Sequence, residues 1–402
     1  MIVARFLEWA ETVPASRRAD GVSALARTYL YTQMEPDEKQ ATEDALTALL
    51  DDPSPLVRRA LAESFASAAA APRHIVIALA SDQSDISTLV LGRSPLLDDD
   101  DLVDSAAIGD AYAQAAIALR PRLSKIVSAA LAEVGAREAV VALVVNPGAD
   151  LAEFSMQRIL ERFGADGELR EALLKRPHLS GALRADLVNA TLGALSEFVI
   201  GCNWLSPERT QRMGRESREK AHVLIAADIT DEDAAIFARH LRQKGQLTAG
   251  LLLRSIMSGS TGLLEGALVE LSGMKPDRVA GLIADCKGAG FAALYARALL
   301  PEALLPAFRA ALSALAAYRP EQGGTFGAAL DRRLIGEVLA RCAAANSAET
   351  GKVMSLLRRF ESEAAREAAR HVLAARLAKE TSRGESEVLA QDQAQMYINR
   401  AA

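Results

Sequence analysis

Cysteine is scarce in this sequence, and its three residues, Cys202, Cys286 and Cys342, lie 84 and 56 positions apart. An odd number without paired spacing predicts neither a disulfide framework nor a thiolate metal site, and it favours a reducing compartment. Long apolar runs are also missing: the longest, such as residues 139–145, span seven residues, whereas about 20 are needed to cross a bilayer. The first eleven residues include two glutamates, where a signal peptide would need an unbroken apolar core. We therefore expect a cytoplasmic protein that does not enter a membrane.

The residue patterns of common catalytic and cofactor sites are missing as well. The five histidines share no metal-ligand spacing. The acidic run Asp98–Asp101 lacks the alternating ligand positions, the glycine and the final glutamate of a calcium-binding loop. Gly288–Gly290 is the nearest approach to a dinucleotide-binding turn, but the residues before it keep helical spacing, so that Gly288 is expected to end a helix. Residues 258–262 lack the lysine of a phosphate loop. The sequence therefore predicts no catalytic residue, no cofactor and no metal, and a protein that is not an enzyme.

What the sequence does contain is a rhythm of prolines. Half of its 402 residues are apolar, and this length predicts two domains or one elongated array. Successive intervals of 23, 26, 26 and 30 residues separate five prolines: Pro72, Pro95, Pro121, Pro147 and Pro177. The third residue after each of the last four can cap a helix: Asp98, Ser124, Asp150 and Ser180. Apolar residues between the prolines keep helical spacing. This pattern predicts repeated helix pairs; the alternative is an ordinary helical domain in which the proline spacing is coincidental.

One segment makes the repeat more specific. Asp52 is followed five and six residues later by Val57 and Arg58, and then by an alanine and a leucine. This pattern resembles the second helix of a HEAT repeat. The resemblance implies that Asp52 caps the helix and that Arg58 supports the stacking of neighbouring units. Only this segment shows the full pattern, so the array is expected to be degenerate.

The resemblance extends to a particular family. Five segments are similar to a family of bacterial HEAT-like proteins known only as a domain of unknown function: residues 6–12, residues 25–31, the Asp52 segment, residues 245–254 and residues 291–301. The similarity covers roughly residues 1–320. The residues that carry it are of the kind that pack helices. The resemblance therefore implies a fold and leaves the function open.

The rhythm changes after residue 200, where Ser206 and Pro207 are well placed as the cap and the first residue of a new helix. We predict an all-α protein: a HEAT-like α-solenoid of short helix pairs followed by a second helical region. The predicted segments are as follows: degenerate repeats in 1–200, a second helical domain in 201–322, a helical hairpin in 323–380 and a polar tail in 381–402.

Charge differs between the two halves. Residues 1–200 hold 19 lysines and arginines against 29 acids, a net charge of −10, whereas residues 201–402 hold 27 against 23, a net charge of +4. The second half could dock an acidic partner, or the chain could pair with itself. Alternatively, short capped helices simply collect acids at their N-termini. The candidate partner-binding cluster is Arg209, Arg212, Arg215 and Arg218. Interleaved glutamates and steps of three residues favour a self-neutralised helix whose arginines do not share one face.

Stacked helices without a reactive constellation are most simply a protein-interaction scaffold or adaptor. This is the predicted function, with a protein partner that the sequence does not identify. The alternative is a HEAT-like nucleic-acid-binding protein or DNA glycosylase. The net acidic, aromatic-poor composition of the repeat region argues against that alternative.

Overall fold

The structure is a computed structural model that describes residues 8–10, 12–317, 330–344, 351, 353–370, 372–374 and 376. The prediction of an all-α protein is confirmed: across these residues the secondary structure is helical, and the sole extended pairing is an isolated parallel bridge between Leu123 and Ala149. The chain divides into two compact units, Met1–Ala194 and Leu195–Ala402, called unit 1 and unit 2 below. The predicted four-segment division remains a prediction, and its tail, 381–402, lies outside the described residues.

Unit 1 is built from short helices. Their bounds are α1 Ala15–Tyr31, α2 Pro36–Ala48, α3 Pro55–Phe65, α4 Arg73–Ala80, α5 Ser84–Arg93, α6 Asp99–Ile108, α7 Ala111–Ala118, α8 Lys125–Val134, α9 Arg137–Val145, α10 Glu153–Phe163, α11 Gly167–Leu174 and α12 Gly181–Gly201, of which the last continues past Ala194. A 3-10 turn, Leu49–Asp51, follows α2.

These helices pack in two rows. In one row α1 contacts α3, α3 contacts α5, α5 contacts α7, α7 contacts α9 and α9 contacts α11; in the other, α6 contacts α8 and α8 contacts α10. Each helix in these rows therefore packs against the second helix along the chain. The apolar residues between the rows form one continuous buried cluster that runs from Val22 to Leu187, so burial of apolar surface holds unit 1 together from end to end.

Arginines add a recurring polar contact between helices two apart. Arg120 donates to the carbonyls of Leu91 and Ser94 at the end of α5, and both contacts measure 2.6 Å. Arg162 on α10 caps the end of α8 through Ala132 and Gly135, whereas Arg176 binds the carbonyl of Asn146, directly after α9, and that of Ala149 in the following loop. The last carbonyls of a helix have no partner within it, so each guanidinium satisfies at least one carbonyl at a helix end and links one helix pair to the next.

Three of the four predicted caps in the proline-punctuated region are confirmed. Asp98 forms a capping box with Asp101, and the hydroxyls of Ser124 and Ser180 accept from backbone N–H groups in the first turns of α8 and α12. The prediction for Asp150 is wrong, because α10 begins only at Glu153. The N–H of Asp150 instead donates to the carbonyl of Leu123 as part of the isolated bridge, which keeps the chain extended past the expected start.

The prediction that Asp52 caps a helix is also wrong. The cap position of α3 is occupied by Ser54, because Pro55 is the first helical residue. Asp52 accepts from the Ser54 N–H at 2.8 Å and from both ends of the Arg18 guanidinium at 2.8 and 2.9 Å. It therefore joins α1 to the start of α3. Arg58 on α3 binds Asp82, between α4 and α5, at 2.7 Å, so this side chain links successive helices as the resemblance implied.

Unit 2 begins with its longest helix, which spans 22 residues, and continues with shorter ones. Their bounds are α13 Pro207–Asp228, α14 Asp231–Gln243, α15 Ala249–Met257, α16 Gly262–Ser272, α17 Pro276–Ala284, α18 Ala289–Arg297, α19 Leu305–Ala317 and α20 Arg332–Ala344, with a 3-10 turn, Glu302–Leu304, before α19. A last helix, α21, is described over residues 353–370.

Two glycines in unit 2 show what spacing alone does not reveal. The expectation that Gly288 ends α17 is wrong: α17 stops at Ala284, and Gly288 occupies the cap position of α18. Gly266 on α16 lies against α14 so closely that a β-carbon there would sit 2.5 Å from the carbonyl carbon of Ala234. Only glycine lets these two helices approach to this distance.

Candidate functional site

The basic cluster predicted from the sequence lies on α13. The helix begins as expected, with Pro207 in its first turn and the Ser206 hydroxyl accepting from the backbone N–H of Arg209. Steps of three residues rotate by about 60° each on a helix. The arginines are accordingly distributed: Arg209 and Arg212 border a groove, Arg215 is exposed outside that lining, and Arg218 is half-buried.

The groove lies between α13 and α21, has a volume of about 810 Å³ and is called the α13/α21 groove below. Its α13 wall consists of Arg209, Arg212, Met213, Glu216, Ser217, Lys220, Ala221 and Leu224, and its α21 wall of Glu363, Arg366, Glu367, Ala369 and Arg370. Met213 and Leu224 each keep 47% of their surface exposed. The groove therefore combines accessible apolar side chains with charges of both signs.

The charges pair between the helices rather than along α13. Lys220 binds Glu367, and a carboxylate oxygen of Glu216 lies 3.6 Å from Arg366. The sequence predicted that residues of α13 neutralise one another. In the structure the charges of Glu216 and Lys220 are instead paired with residues of α21.

Three arginines keep their charge available for a ligand. The side chains of Arg209 and Arg212 form no ion pair with any described residue, and Arg370 donates only to the Arg366 carbonyl, at 3.4 Å. The guanidinium groups of Arg209, Arg212 and Arg370 are therefore the uncompensated charges of the groove.

Beneath the groove lies a buried ion pair. Arg254 on α15 has no exposed surface, and its guanidinium binds both carboxylate oxygens of Glu363, with Nη1 2.9 Å from Oε2. A second carboxylate, Glu219 on α13, has Oε2 3.6 Å from Nη1 of Arg254 and 3.6 Å from Nη2 of Arg359. The ring of Phe360 lies 5.8 Å from the Arg254 guanidinium. These contacts hold α13, α15 and α21 together and fix the two walls of the groove.

Burial raises the pKa of the Glu219 carboxyl above its ordinary value of 4.5. The positive charges of Arg359 and Arg254 oppose this shift, while the neighbouring carboxylates of Glu363 and Glu216 reinforce it. A charged group removed from water is disfavoured unless it is fully paired. The Oε2 atom of Glu219 has no hydrogen-bond partner among the described residues, so burial of this oxygen disfavours the ionised form relative to a carboxyl in water.

This ion pair was not predicted from the sequence, although a signal was present. Residues 251–257 read Leu-Leu-Leu-Arg-Ser-Ile-Met, and all seven are buried. An arginine inside such an apolar run is almost never buried without a partner. The run could therefore have predicted an internal ion pair, but the identity of the partner, 109 residues further along the chain, could not have been read from it.

The other sequence candidates have structural roles where the chain is described. Asp98 and Asp101 bind Arg73 and cap α6. Cys202 is exposed, and Cys286 and Cys342 are buried thiols. Among the described residues there is no group of three or more histidine, cysteine or acidic residues placed to hold a metal ion. No helix in that part of the chain is long and apolar enough to cross a membrane.

Comparison with known proteins identifies a family. The model described as "Uncharacterised protein conserved in bacteria (DUF2336)" matches residues 86–348. This range overlaps residues 1–320, over which the resemblance was expected. The similar segments before residue 86 lie outside the matched range. No curated protein and no solved structure matches the chain.

Proposed function

The chain belongs to this family of uncharacterised bacterial proteins, and we propose that it is a non-enzymatic scaffold or adaptor that binds a partner protein in the cytoplasm. Unit 1 supplies a rigid support and unit 2 supplies the docking site. The observation that carries the proposal is the α13/α21 groove, where Arg209 and Arg212 are unpaired within the described residues and border accessible apolar side chains.

Unit 1 is proposed to be a degenerate HEAT-like α-solenoid. Two observations support this: helices pack against their second neighbours in two rows, and arginines cap the C-termini of helices two positions earlier in the chain. In a solenoid each repeat contacts only its neighbours, and the stack presents a continuous surface. Such a unit is suited to holding partners rather than to enclosing a substrate.

The groove has the composition of a docking site for a protein segment. Interface centres are enriched in arginine and methionine, and long side chains there exclude water around the energetically important contacts. The two walls are tied to each other by the Lys220–Glu367 and Glu216–Arg366 ion pairs, and the Arg254–Glu363 pair ties the α21 wall to α15 beneath the groove. A preformed groove lowers the entropic cost of binding.

Site-specific photo-crosslinking tests this function. Benzoylphenylalanine is placed at Met213, in the groove, and in a second variant at Ile236, which is 57% exposed on α14. We expect the Met213 variant to crosslink a discrete protein in native cells and the Ile236 variant not to. Equal labelling from both positions, or none from Met213, would refute the docking function.

Nucleic acid is the second candidate, because the same unpaired arginines are able to contact phosphates. The three glutamates in the groove walls oppose it. Affinity for duplex DNA is measured as a function of salt concentration: a slope that reports several phosphate contacts, lost on Arg209→Glu/Arg212→Glu, would favour nucleic acid over a protein partner. We expect no retention on duplex DNA at physiological salt.

A further inference from the structure

We propose that the occupant of the α13/α21 groove is an amphipathic α-helix of a partner protein, with acidic residues clustered at one end. This inference rests on the proposed function and specifies the partner. It follows from the spacing of the wall residues, from the polarity of the groove along its length and from the charge that remains after internal pairing.

The spacing of the wall residues fits a helical occupant. On α13 the residues Arg209, Met213, Glu216, Lys220 and Leu224 follow one another at steps of four, three, four and four. On α21 the lining residues 363, 366, 367 and 370 have the same three-and-four spacing. Two helices with such adjacent ridges form the seam into which the side chains of a third helix pack. From Arg209 to Leu224 the seam is about 22 Å long, the length of a helix of about 16 residues.

The groove is polar at one end and apolar at the other. Along α13 the lining residues change in character: Arg209 and Arg212 lie in its first two turns, whereas Ala221 and Leu224 lie toward its C-terminal end. The opposite wall is tied to the middle of α13 through Glu216–Arg366 and Lys220–Glu367.

Charge complementarity selects the occupant. Glu216, Lys220, Glu363, Arg366 and Glu367 are already engaged in ion pairs. The charge that remains comes from the three uncompensated arginines described above, of which Arg209 and Arg212 lie at the N-terminal end of α13. Carboxylates of a partner are the groups that arginine binds in a bidentate manner, and apolar residues further along the helix would cover Met213 and Leu224.

The test uses the full-length protein and four fluorescein-labelled 16-residue peptides. Two peptides carry leucines at helical three-and-four spacing and three glutamates, in the first turn of one and in the last turn of the other. The third has lysines in place of the glutamates, and the fourth has a central proline that breaks the helix. Fluorescence anisotropy measures the dissociation constants. We expect at least one glutamate peptide to bind ten times more tightly than both controls.

A pair of double variants locates the site. Arg209→Glu/Arg212→Glu should weaken binding of the glutamate peptide at least tenfold, a change of about 1.4 kcal/mol. Arg215→Glu/Arg278→Glu changes the total charge equally at two exposed arginines outside the groove lining, and should alter binding less than twofold. The groove variant is expected to fold, because a glutamate at position 209 completes a capping box with Ser206. Circular dichroism and thermal melting verify this.

The outcomes separate this inference from the function on which it rests. If no glutamate peptide outcompetes the lysine and proline controls, or if both double variants weaken binding equally, the acidic helix is refuted as the occupant. Crosslinking from position 213 would then still decide the docking function. If crosslinking captures a partner but mass spectrometry maps the contact to a non-helical or basic segment, the scaffold function stands and the present inference fails.

Discussion

Replacement of Glu363 by alanine should destabilise unit 2 far more than the loss of an exposed ion pair would. Arg254 has no exposed surface, and Glu363 is its bidentate partner. After the replacement the guanidinium stays buried, and the nearest remaining carboxylate oxygen, on Glu219, is 3.6 Å away. Removing one partner of a buried pair costs about 3–5 kcal/mol, because the other charge is left uncompensated. Since Glu219 compensates in part, we expect a loss of about 3 kcal/mol.

Two comparisons give this prediction its control. Glu63→Ala removes the partner of Arg59 from a pair whose side chains are 48% and 54% exposed, so its cost should not exceed about 1 kcal/mol. The double replacement Arg254→Met/Glu363→Leu removes both buried charges and fills most of the volume. It should recover most of the stability lost in the single variant, because neither member of the pair is left buried alone and Glu219 keeps its contact with Arg359.

Hydrogen exchange measures the effect where it arises. In a chain of two compact units a single unfolding midpoint does not isolate one of them, whereas peptides that cover residues 251–257 report the opening of α15 itself. A loss of about 3 kcal/mol should raise their exchange rate about a hundredfold, while peptides from unit 1 stay unchanged. A loss below about 1 kcal/mol in Glu363→Ala, or a double variant no more stable than the single one, would refute the reasoning.

Three further predictions concern packing and titration. Gly266→Ala should cost roughly 1–3 kcal/mol, because the added methyl group meets the Ala234 backbone; an unchanged hydrogen-exchange rate in peptides that cover α16 would contradict this. A double-mutant cycle on Arg18 and Asp52 should give a coupling energy of about 1 kcal/mol. Burial alone would raise the pKa of Asp52, but Arg18 and the Ser54 N–H lower it, so the coupling should weaken as pH falls below about 4; a coupling that is independent of pH opposes the assignment. The raised pKa of Glu219 means that its contribution to stability is present below pH 4.5 and is lost as pH rises. The stability of wild type relative to Glu219→Gln, measured by hydrogen exchange in peptides that cover α13, should therefore decrease above that pH, and a constant difference would be contrary to it.

Local chemistry explains which helix boundaries were predictable. Ser206 and Pro207 predicted the start of α13 correctly, because a cap and a first-turn proline act within three residues of each other. Asp150 and Asp52 failed although they have suitable side chains. Asp150 is held by the bridge at Leu123. Asp52 is separated from its helix by Pro53 and Ser54, and it is bound by Arg18. A cap is therefore predictable only where no distant residue competes for the same backbone.

The candidate site was predictable in part for a similar reason. The sequence identified Arg209 and Arg212 as members of a basic cluster and predicted that the cluster would not line one face of its helix. It did not predict that α21 forms the opposite wall of the groove, since the two walls are about 150 residues apart. The same separation hid the pairing of Arg254 with Glu363.

The sequence by itself determined that the chain is helical, where four of its helices begin and that it resembles an uncharacterised bacterial family. These properties depend on helical periodicity, on caps and on prolines, all of which act over a few residues. Only the tertiary structure decided which charges are paired. It left the guanidinium groups of Arg209 and Arg212 available and buried that of Arg254, because the environment of a charge depends on the helices folded against it and not on its neighbours in the chain.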